Sequence, residues 1–146
     1  MLNIEAVNHV GIRVSDKTRS IAFYENLGFA LISDVGFENG HPVIMTHPSG
    51  VVINLLGPAT ASAGTNILMD VDEKHPGITH VALTVSSLDD AKAFMAENDI
   101  AITGSFSFGK MAAIFIRDPD RTVIELDAYT VDDTANDDLS GYSDHP

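Results

Sequence analysis

The chain contains two copies of one pattern, and a duplicated chain is expected to fold as two like units. Three pairs of segments match at a single offset of 71 residues without a gap: 8–15 with 79–86, 22–23 with 93–94, and 47–55 with 118–126. A chance match rarely recurs three times in one register. The repeat therefore predicts the same order of helices and strands in both halves.

Each copy opens with a strand followed by a helix. Apolar residues alternate with other residues from His9 to Val14 and again from His80 to Val85, which is the period of a strand with two different faces. We expect the apolar face to pack on a helix and the histidine-bearing face to meet a different environment. Ser15-Asp16 and Ser86-Ser87 precede the two helical segments as N-cap candidates, and Gly28 is a stop for the first helix.

Three more strands complete each copy. We place them near residues 30–37, 42–46 and 51–56 in the first copy and near 100–108, 111–116 and 122–128 in the second. The predicted fold is α+β, with two tandem βαβββ modules at about 4–56 and 77–128 joined by a linker over 57–76. Together they form one domain over 1–129. Residues 130–146 carry five aspartates and neither lysine nor arginine, and we expect them to form a mobile acidic tail.

Charge and composition narrow the classes of function. The 146 residues carry a formal net charge of −13, and such a surface repels nucleic-acid phosphates and anionic lipid. We therefore expect neither a nucleic-acid nor a membrane partner. The absence of cysteine excludes disulfides and thiolate metal sites. The first residues lack the basic start and apolar run of a signal peptide, so a cytoplasmic protein is expected.

The repeat also pairs the residues that could carry chemistry. His9 and His80 occupy equivalent positions on the first strand of each copy, and Asn54 and Glu125 are equivalent on the last strand. If those strands are neighbours, two imidazoles, an amide and a carboxylate converge. Two histidines and one carboxylate, with coordination positions left open, suit one catalytic divalent ion, which could be Fe, Zn, Ni, Mn or Co.

A structural role for these residues is the alternative. A single strand histidine is more often a hydrogen-bonded structural residue than a ligand, and Glu125 could be a solvated strand carboxylate. Glu125 is flanked by Ile124 and Leu126, however, and an unpaired charge in an apolar setting is costly. A metal ion would relieve that cost.

Two further segments, 22–29 (AFYENLGF) and 115–126 (FIRDPDRTVIEL), together with the double βαβββ plan and the paired histidines, resemble the vicinal-oxygen-chelate superfamily of glyoxalase, bleomycin-resistance and extradiol dioxygenase proteins. The resemblance covers roughly residues 4–128. It implies two modules whose sheets curl into a half-open barrel around a metal-binding cleft, with His9, His80 and Glu125 as ligands.

The chain departs from the family pattern at two positions. Asn54 stands where a glutamate or glutamine ligand is usual, so it could coordinate weakly, hydrogen-bond a bound water or merely line the pocket. In lactoylglutathione lyase that position shares in proton transfer, which leaves Glu125 here as the single catalytic base. Arg121 stands where glycine is usual in the turn before the last strand.

The resemblance leaves three functions open. The first is a glyoxalase-like lyase or isomerase whose metal chelates adjacent oxygens of a small substrate. The second is an iron(II) dioxygenase; catechol cleavage is disfavoured, because Phe115 replaces the usual tyrosine and segment 106–108 lacks the usual histidine. The third is a small-molecule binding or resistance protein, although bleomycin-binding members generally lack the ligands.

Candidate pocket residues are Asn54, Arg13, Phe115 and Arg117. Arg13 shares the His9 face and could bind a substrate anion or point to solvent, while Phe115 could equally be a core residue. We expect a homodimer, with the modules pairing within one chain or swapping between two.

Overall fold

The computed structural model describes residues 1–61 and 64–129 and divides the chain into two compact units, Met1–Gly64 and Thr65–Pro146. Each unit is described by itself. The predicted tail, 130–146, lies outside the described residues. Within the part of the chain that the structure describes, no helix has the length and apolar character needed to cross a membrane.

The first unit is one four-stranded sheet with one α-helix. Its elements are β1 (Val10–Arg13), α1 (Lys17–Asn26), β2 (Ala30–Ser33), a 3-10 turn (Phe37–Asn39), β3 (Val43–Thr46) and β4 (Val52–Leu56). The strand order is β1-β4-β3-β2. The first and last strands, β1 and β4, run parallel to each other, and the other neighbours are antiparallel.

The second unit repeats this plan. Its elements are β5 (His80–Thr84), α2 (Leu88–Glu97), β6 (Ile102–Phe108), β7 (Met111–Arg117) and β8 (Val123–Tyr129). The strand order is β5-β8-β7-β6, and β5 and β8 are the parallel pair. Two βαβββ-like modules with two four-stranded mixed sheets are thus confirmed, as is the adjacency of the first and last strand in each module.

Both helices begin where the cap residues predict. The Asp16 side chain accepts a hydrogen bond from the Arg19 backbone N–H at 3.0 Å, and the Ser87 hydroxyl accepts one from the Asp90 N–H at 3.1 Å. Each bond satisfies a donor that the first helical turn leaves unpaired. Gly28 follows α1 with φ +95°, a left-handed conformation that glycine adopts without a steric penalty.

Alternation along the strands separates a core face from a second face, as predicted. In β1 the apolar Ile12 and the following Val14 are buried, whereas Arg13 is exposed. In β5 the apolar residues are half-buried and His80 and Thr84 are exposed. The core-forming residues of the second unit include Met95 of α2 and the fully buried Ile114, Ile116 and Ile124 of the sheet.

The second strand is shorter than the sequence predicts. We expected a strand over 30–37, but β2 ends at Ser33 after a register shift, and Phe37 begins the 3-10 turn. The reason is that Phe37 turns inward and is only 2% exposed. Its ring lies against the backbone of Gly57, at the exit of β4. The other strand ends differ from the predicted ones by one or two residues.

The two modules differ at this contact. The repeat equivalents of Phe37 and Gly57 are Phe108 and Ala128, and Phe108 is 61% exposed. The first module therefore buries the aromatic ring over a glycine, while the second keeps a methyl group and leaves its ring outside.

Gly57→Ala is expected to lower the free energy of unfolding by about 1–3 kcal/mol, because a Cβ at this position would meet the Phe37 ring. Urea titration followed by circular dichroism measures the change. In a Phe37→Leu background the same substitution should cost clearly less. An equal cost in both backgrounds would show that the ring contact is not the cause.

Candidate functional site

Two of the predicted site residues meet in the second unit. His80 Nε2 lies 2.9 Å from Glu125 Oε2. Glu125 is 7% exposed, whereas the His80 side chain is 40% exposed. One partner is therefore held inside the unit while the other keeps access to the surface.

The parallel pairing of β5 and β8 makes this contact. Ala82 is the register partner of Glu125, and His80 is two residues earlier on the same face of β5. The Thr79 hydroxyl lies 2.8 Å from His80 Nδ1, so one ring nitrogen is engaged locally and the other is turned to the carboxylate. The remote pairing that the repeat predicts within this module is thus present.

A second carboxylate shares the face of Glu125. Asp127 lies two residues further along β8, and its Oδ1 is buried without a hydrogen-bond partner among the described residues. Burial, the Asp127 charge and a side-chain hydrogen bond to Asp127 together raise the pKa of Glu125 to about 7. A buried carboxylate beside a half-buried one resists full ionisation of the pair, because like charges repel strongly where water is largely excluded.

The first unit presents the equivalent face with different groups. His9 immediately precedes β1, is exposed, and has its Nδ1 2.7 Å from Asn8 Oδ1. Asn54 pairs in register with Gly11, and its Oδ1 is buried with no hydrogen-bond partner among the described residues. Arg13 is exposed on the His9 face.

The His80–Glu125 pair fits a divalent ion in spacing and in chemistry. Bonds from such ions to nitrogen and oxygen are about 2.0–2.2 Å long, so two adjacent ligand atoms of one ion lie about 3 Å apart. The raised pKa of Glu125 and the buried Asp127 Oδ1, which has no hydrogen-bond partner among the described residues, are features that a cation would stabilise. Within residues 1–61 and 64–129, no three His, Cys, Asp or Glu side chains form a cluster that could hold a metal. The His9–His80–Glu125 ligand set therefore stays a prediction.

Phe115 supports the pair from the neighbouring strand. It is the register partner of Glu125 on β7 and is 2% exposed. Its ring meets the His80 ring edge-on, with centroids 6.4 Å apart, and stacks on Phe106 with centroids 5.8 Å apart. Phe115 is thus a core residue that also contacts the candidate site.

Arg117 lies in an ion-pair cluster that we name the Asp70 clamp, formed by Asp70, Arg117 and Arg121. Arg121 Nε lies 2.7 Å from Asp70 Oδ2, and Arg117 Nη2 lies 3.0 Å from Asp70 Oδ1. The hydrogen bond from Arg121 and the charges of both guanidiniums hold the pKa of Asp70 well below its usual range. Arg121 itself has φ +68°, a left-handed conformation where the family pattern has glycine.

Asp127 and the Asp70 clamp were not predicted from the sequence. Asp127 falls on the same strand face as Glu125 by simple alternation, but its repeat equivalent is Leu56, so the duplication drew no attention to it. Asp70 lies in the predicted linker, where no periodicity marks a partner. The one signal in the sequence was Arg121 itself, which stands in the turn before the last strand where the family pattern has glycine.

The comparison with protein families identifies the chain's relatives. A family model, the glyoxalase/bleomycin resistance protein/dioxygenase superfamily, matches residues 6–126. The chain therefore belongs to this superfamily, which confirms the resemblance found in the sequence. The superfamily includes metal-dependent enzymes, and its members often bind divalent metals. None of the curated proteins compared with the chain matches it significantly.

Solved structures share the fold. A glyoxalase/dioxygenase from Nostoc punctiforme is 22% identical, with a TM-score of 0.70 over 87% of this chain and 92% of that one. The fosfomycin resistance protein FosX of Listeria monocytogenes is 18% identical, with a TM-score of 0.64 over 88% and 94%. The trypanothione-dependent glyoxalase I of Leishmania major is 27% identical, with a TM-score of 0.63 over 86% and 87%.

Asp70→Asn is expected to destabilise the protein at pH 7 by about 3 kcal/mol, because it removes the carboxylate that pairs with the buried Arg117 guanidinium. A carboxyl group with a lowered pKa in the folded state stabilises the fold above its unfolded pKa of about 4. That stabilisation is lost as the pH falls towards the folded pKa. Urea titrations at several pH values should therefore show the difference between wild type and variant narrowing below about pH 4.

The matched control for this prediction is Asp34→Asn, which removes the more exposed ion pair between Asp34 and Lys17, 2.7 Å long. It should cost about 1 kcal/mol or less. A loss at Asp70 that stays constant from pH 7 to pH 2 would contradict the charge-based explanation.

Proposed function

We propose that the protein is a metal-dependent enzyme of glyoxalase-like type, a lyase or isomerase acting on a small molecule through two adjacent oxygens. The observation that carries the proposal is the 2.9 Å approach of His80 Nε2 to the buried Glu125 carboxylate. An imidazole and a carboxylate held together on a sheet face are two-thirds of the ligand set that this chemistry requires. The 27% identity to a glyoxalase I supports the same class of reaction.

His9, His80 and Glu125 would hold one divalent ion, with Fe, Zn, Ni, Mn and Co all compatible with nitrogen and oxygen ligands. The bound ion supplies Lewis-acid stabilisation of the oxyanion that develops on the substrate. The unpaired Asn54 Oδ1 suits either a fourth ligand or an acceptor for a bound water.

Glu125 is assigned to proton transfer as well as to metal binding. Burial and the charge of Asp127 raise the pKa of Glu125 to about 7, so this carboxylate takes up a proton readily when it is not bound to the ion. The first module has Asn54 where a second carboxylate would stand. Glu125 would therefore both remove the proton from the substrate and return it.

Three other side chains would have separate roles at the site. Phe115 holds the His80 ring by edge contact. Arg117 pairs with Asp70 and so joins β7 to the segment that precedes β5. Arg13 remains exposed on the His9 face and is the residue we assign to an anionic part of the substrate. A small-molecule substrate and a homodimer are included in the proposal, since members of the superfamily often dimerise and bind small molecules.

Purified protein is expected to carry one metal ion per chain, and His80→Ala should weaken metal binding by at least about 100-fold, because outer-shell partners alone are worth about 10–100-fold. Elemental analysis and calorimetric titration with Ni²⁺ or Zn²⁺ measure both. The matched control is His75→Ala, since His75 is an exposed histidine 3.7 Å from Glu73. Metal binding unchanged by His80→Ala would overturn the ligand assignment, whereas wild-type protein that carries no stoichiometric metal would favour the binding protein.

Turnover without oxygen separates the proposal from the iron dioxygenase that the same ligand set allows. Protein loaded with metal under anaerobic conditions should convert hemithioacetals of small 2-oxoaldehydes completely, with product followed by absorbance. Oxygen uptake coupled to product formation by the iron-loaded protein would instead establish the dioxygenase. Ligand binding without turnover under either condition would leave a binding protein.

A further inference from the structure

We infer that Leu68, Met69, Phe106 and Phe115 form an apolar wall beside His80 and Glu125, and that this wall selects substrates with an aryl or branched alkyl group next to their chelating oxygens. The inference rests on the proposed function, because it assigns a substrate class to the same site. Its second part is that the Asp70 clamp holds the wall in place.

The wall belongs to the face of the sheet that carries the candidate site. Phe115 is the register partner of Glu125, and Val123 is the register partner of His80. Residues paired in register point to the same face of a sheet, as do alternate residues of one strand. Phe115 and Val123 therefore lie on the side of Glu125 and His80, opposite the side packed on α2.

The segment before β5 completes this surface. Met69 is buried and forms a cluster with Phe115 and Val123, and Leu68 and Phe106 pack against that cluster while remaining partly exposed. Phe106 stacks on Phe115 with an angle of 25° between the rings. Partly exposed apolar groups beside a small number of convergent polar groups are the usual composition of a small-molecule site.

The Asp70 clamp holds this segment against the sheet. Asp70 receives both arginine side chains, and Asn66 donates its backbone N–H to Asp70 Oδ2 at 2.9 Å. Asn66 also donates its side-chain amide to the Arg121 carbonyl at 3.1 Å. Both ends of the turn over 66–70 are thus bonded to the loop before β8. These bonds hold Met69 against Phe115.

The composition of the wall defines the group it would accept. Its four side chains offer no hydrogen-bond donor and only the weak thioether acceptor of Met69, so a charged group placed there would lose its hydration with little compensation. When an apolar substituent binds there, its own surface and the surface of the wall are both removed from water. The wall therefore favours an apolar substituent, while the polar pair engages the oxygens.

The test uses two probes that chelate through the same pair of oxygens, acetohydroxamate and benzohydroxamate. Protein loaded with Ni²⁺ should bind benzohydroxamate about tenfold more tightly, after correction for the affinity of each probe for free Ni²⁺, because the phenyl ring gains apolar contact. Calorimetry measures both affinities. Met69→Ala should remove most of the preference for benzohydroxamate, and Asp70→Asn should reduce it.

Ile67→Ala is the matched control, because Ile67 belongs to the same segment and its side chain is exposed. It should leave the preference unchanged. Equal binding of the two probes by wild type would overturn the wall and leave the metal site standing. If neither probe binds the Ni²⁺-loaded protein, the proposed function itself fails.

A measurement without metal tests the clamp separately. In nuclear magnetic resonance spectra of the metal-free protein, the His80 ring protons should shift in Asp70→Asn and in Met69→Ala, because the ring current of Phe115 acts on them across the perpendicular contact of the two rings. Ile67→Ala should leave them in place. Unshifted His80 resonances in Asp70→Asn would show that the clamp does not position the site.

Discussion

A buried carboxylate on a β-strand is the constraint on which the second unit depends. Glu125 is almost fully enclosed, and its charge would be costly without a partner. The parallel pairing of β5 with β8 supplies His80, and the pairing of β7 with β8 supplies the Phe115 ring that holds the imidazole. A shift of one residue in either pairing would turn these side chains to the opposite face. The site residues therefore meet only when the strands pair in this register.

The two modules have the same order of helices and strands but carry different side chains at equivalent positions. Where the second module carries Glu125 and Asp127, the first carries Asn54 and Leu56. Where the first buries Phe37 over Gly57, the second exposes Phe108. The backbone pairing is thus the same in both modules, whereas the carboxylates Glu125 and Asp127 have uncharged equivalents in the first. The plan is that of the glyoxalase/bleomycin resistance protein/dioxygenase superfamily, to which the chain belongs.

The Asp70 clamp shows how a departure from a family pattern can acquire a role. A non-glycine residue with φ near +68° is strained, and the structure holds Arg121 there by a bidentate pair with Asp70. The same carboxylate also neutralises Arg117, whose side chain is only 7% exposed. The bonds that stabilise the unusual turn thereby fasten residues 66–70 onto the site face. Asp70 thus has two effects. It stabilises the left-handed backbone of Arg121, and it holds the segment 66–70 beside the candidate site.

The sequence by itself determined the duplication, the order of strands and helices, both helix caps and the pairing of His80 with Glu125, because each of these depends on local periodicity or on a constant offset. It did not reveal the inward turn of Phe37, the second carboxylate at Asp127 or the partners of Asp70. The contacts of Phe37 and Asp70 join residues far apart along the chain with no shared pattern, and the buried position of Asp127 Oδ1 depends on how the sheet is covered, so only the tertiary packing decides them. Burial is what converts such proximity into altered pKa values and directed hydrogen bonds, and burial is a property of the fold rather than of any segment.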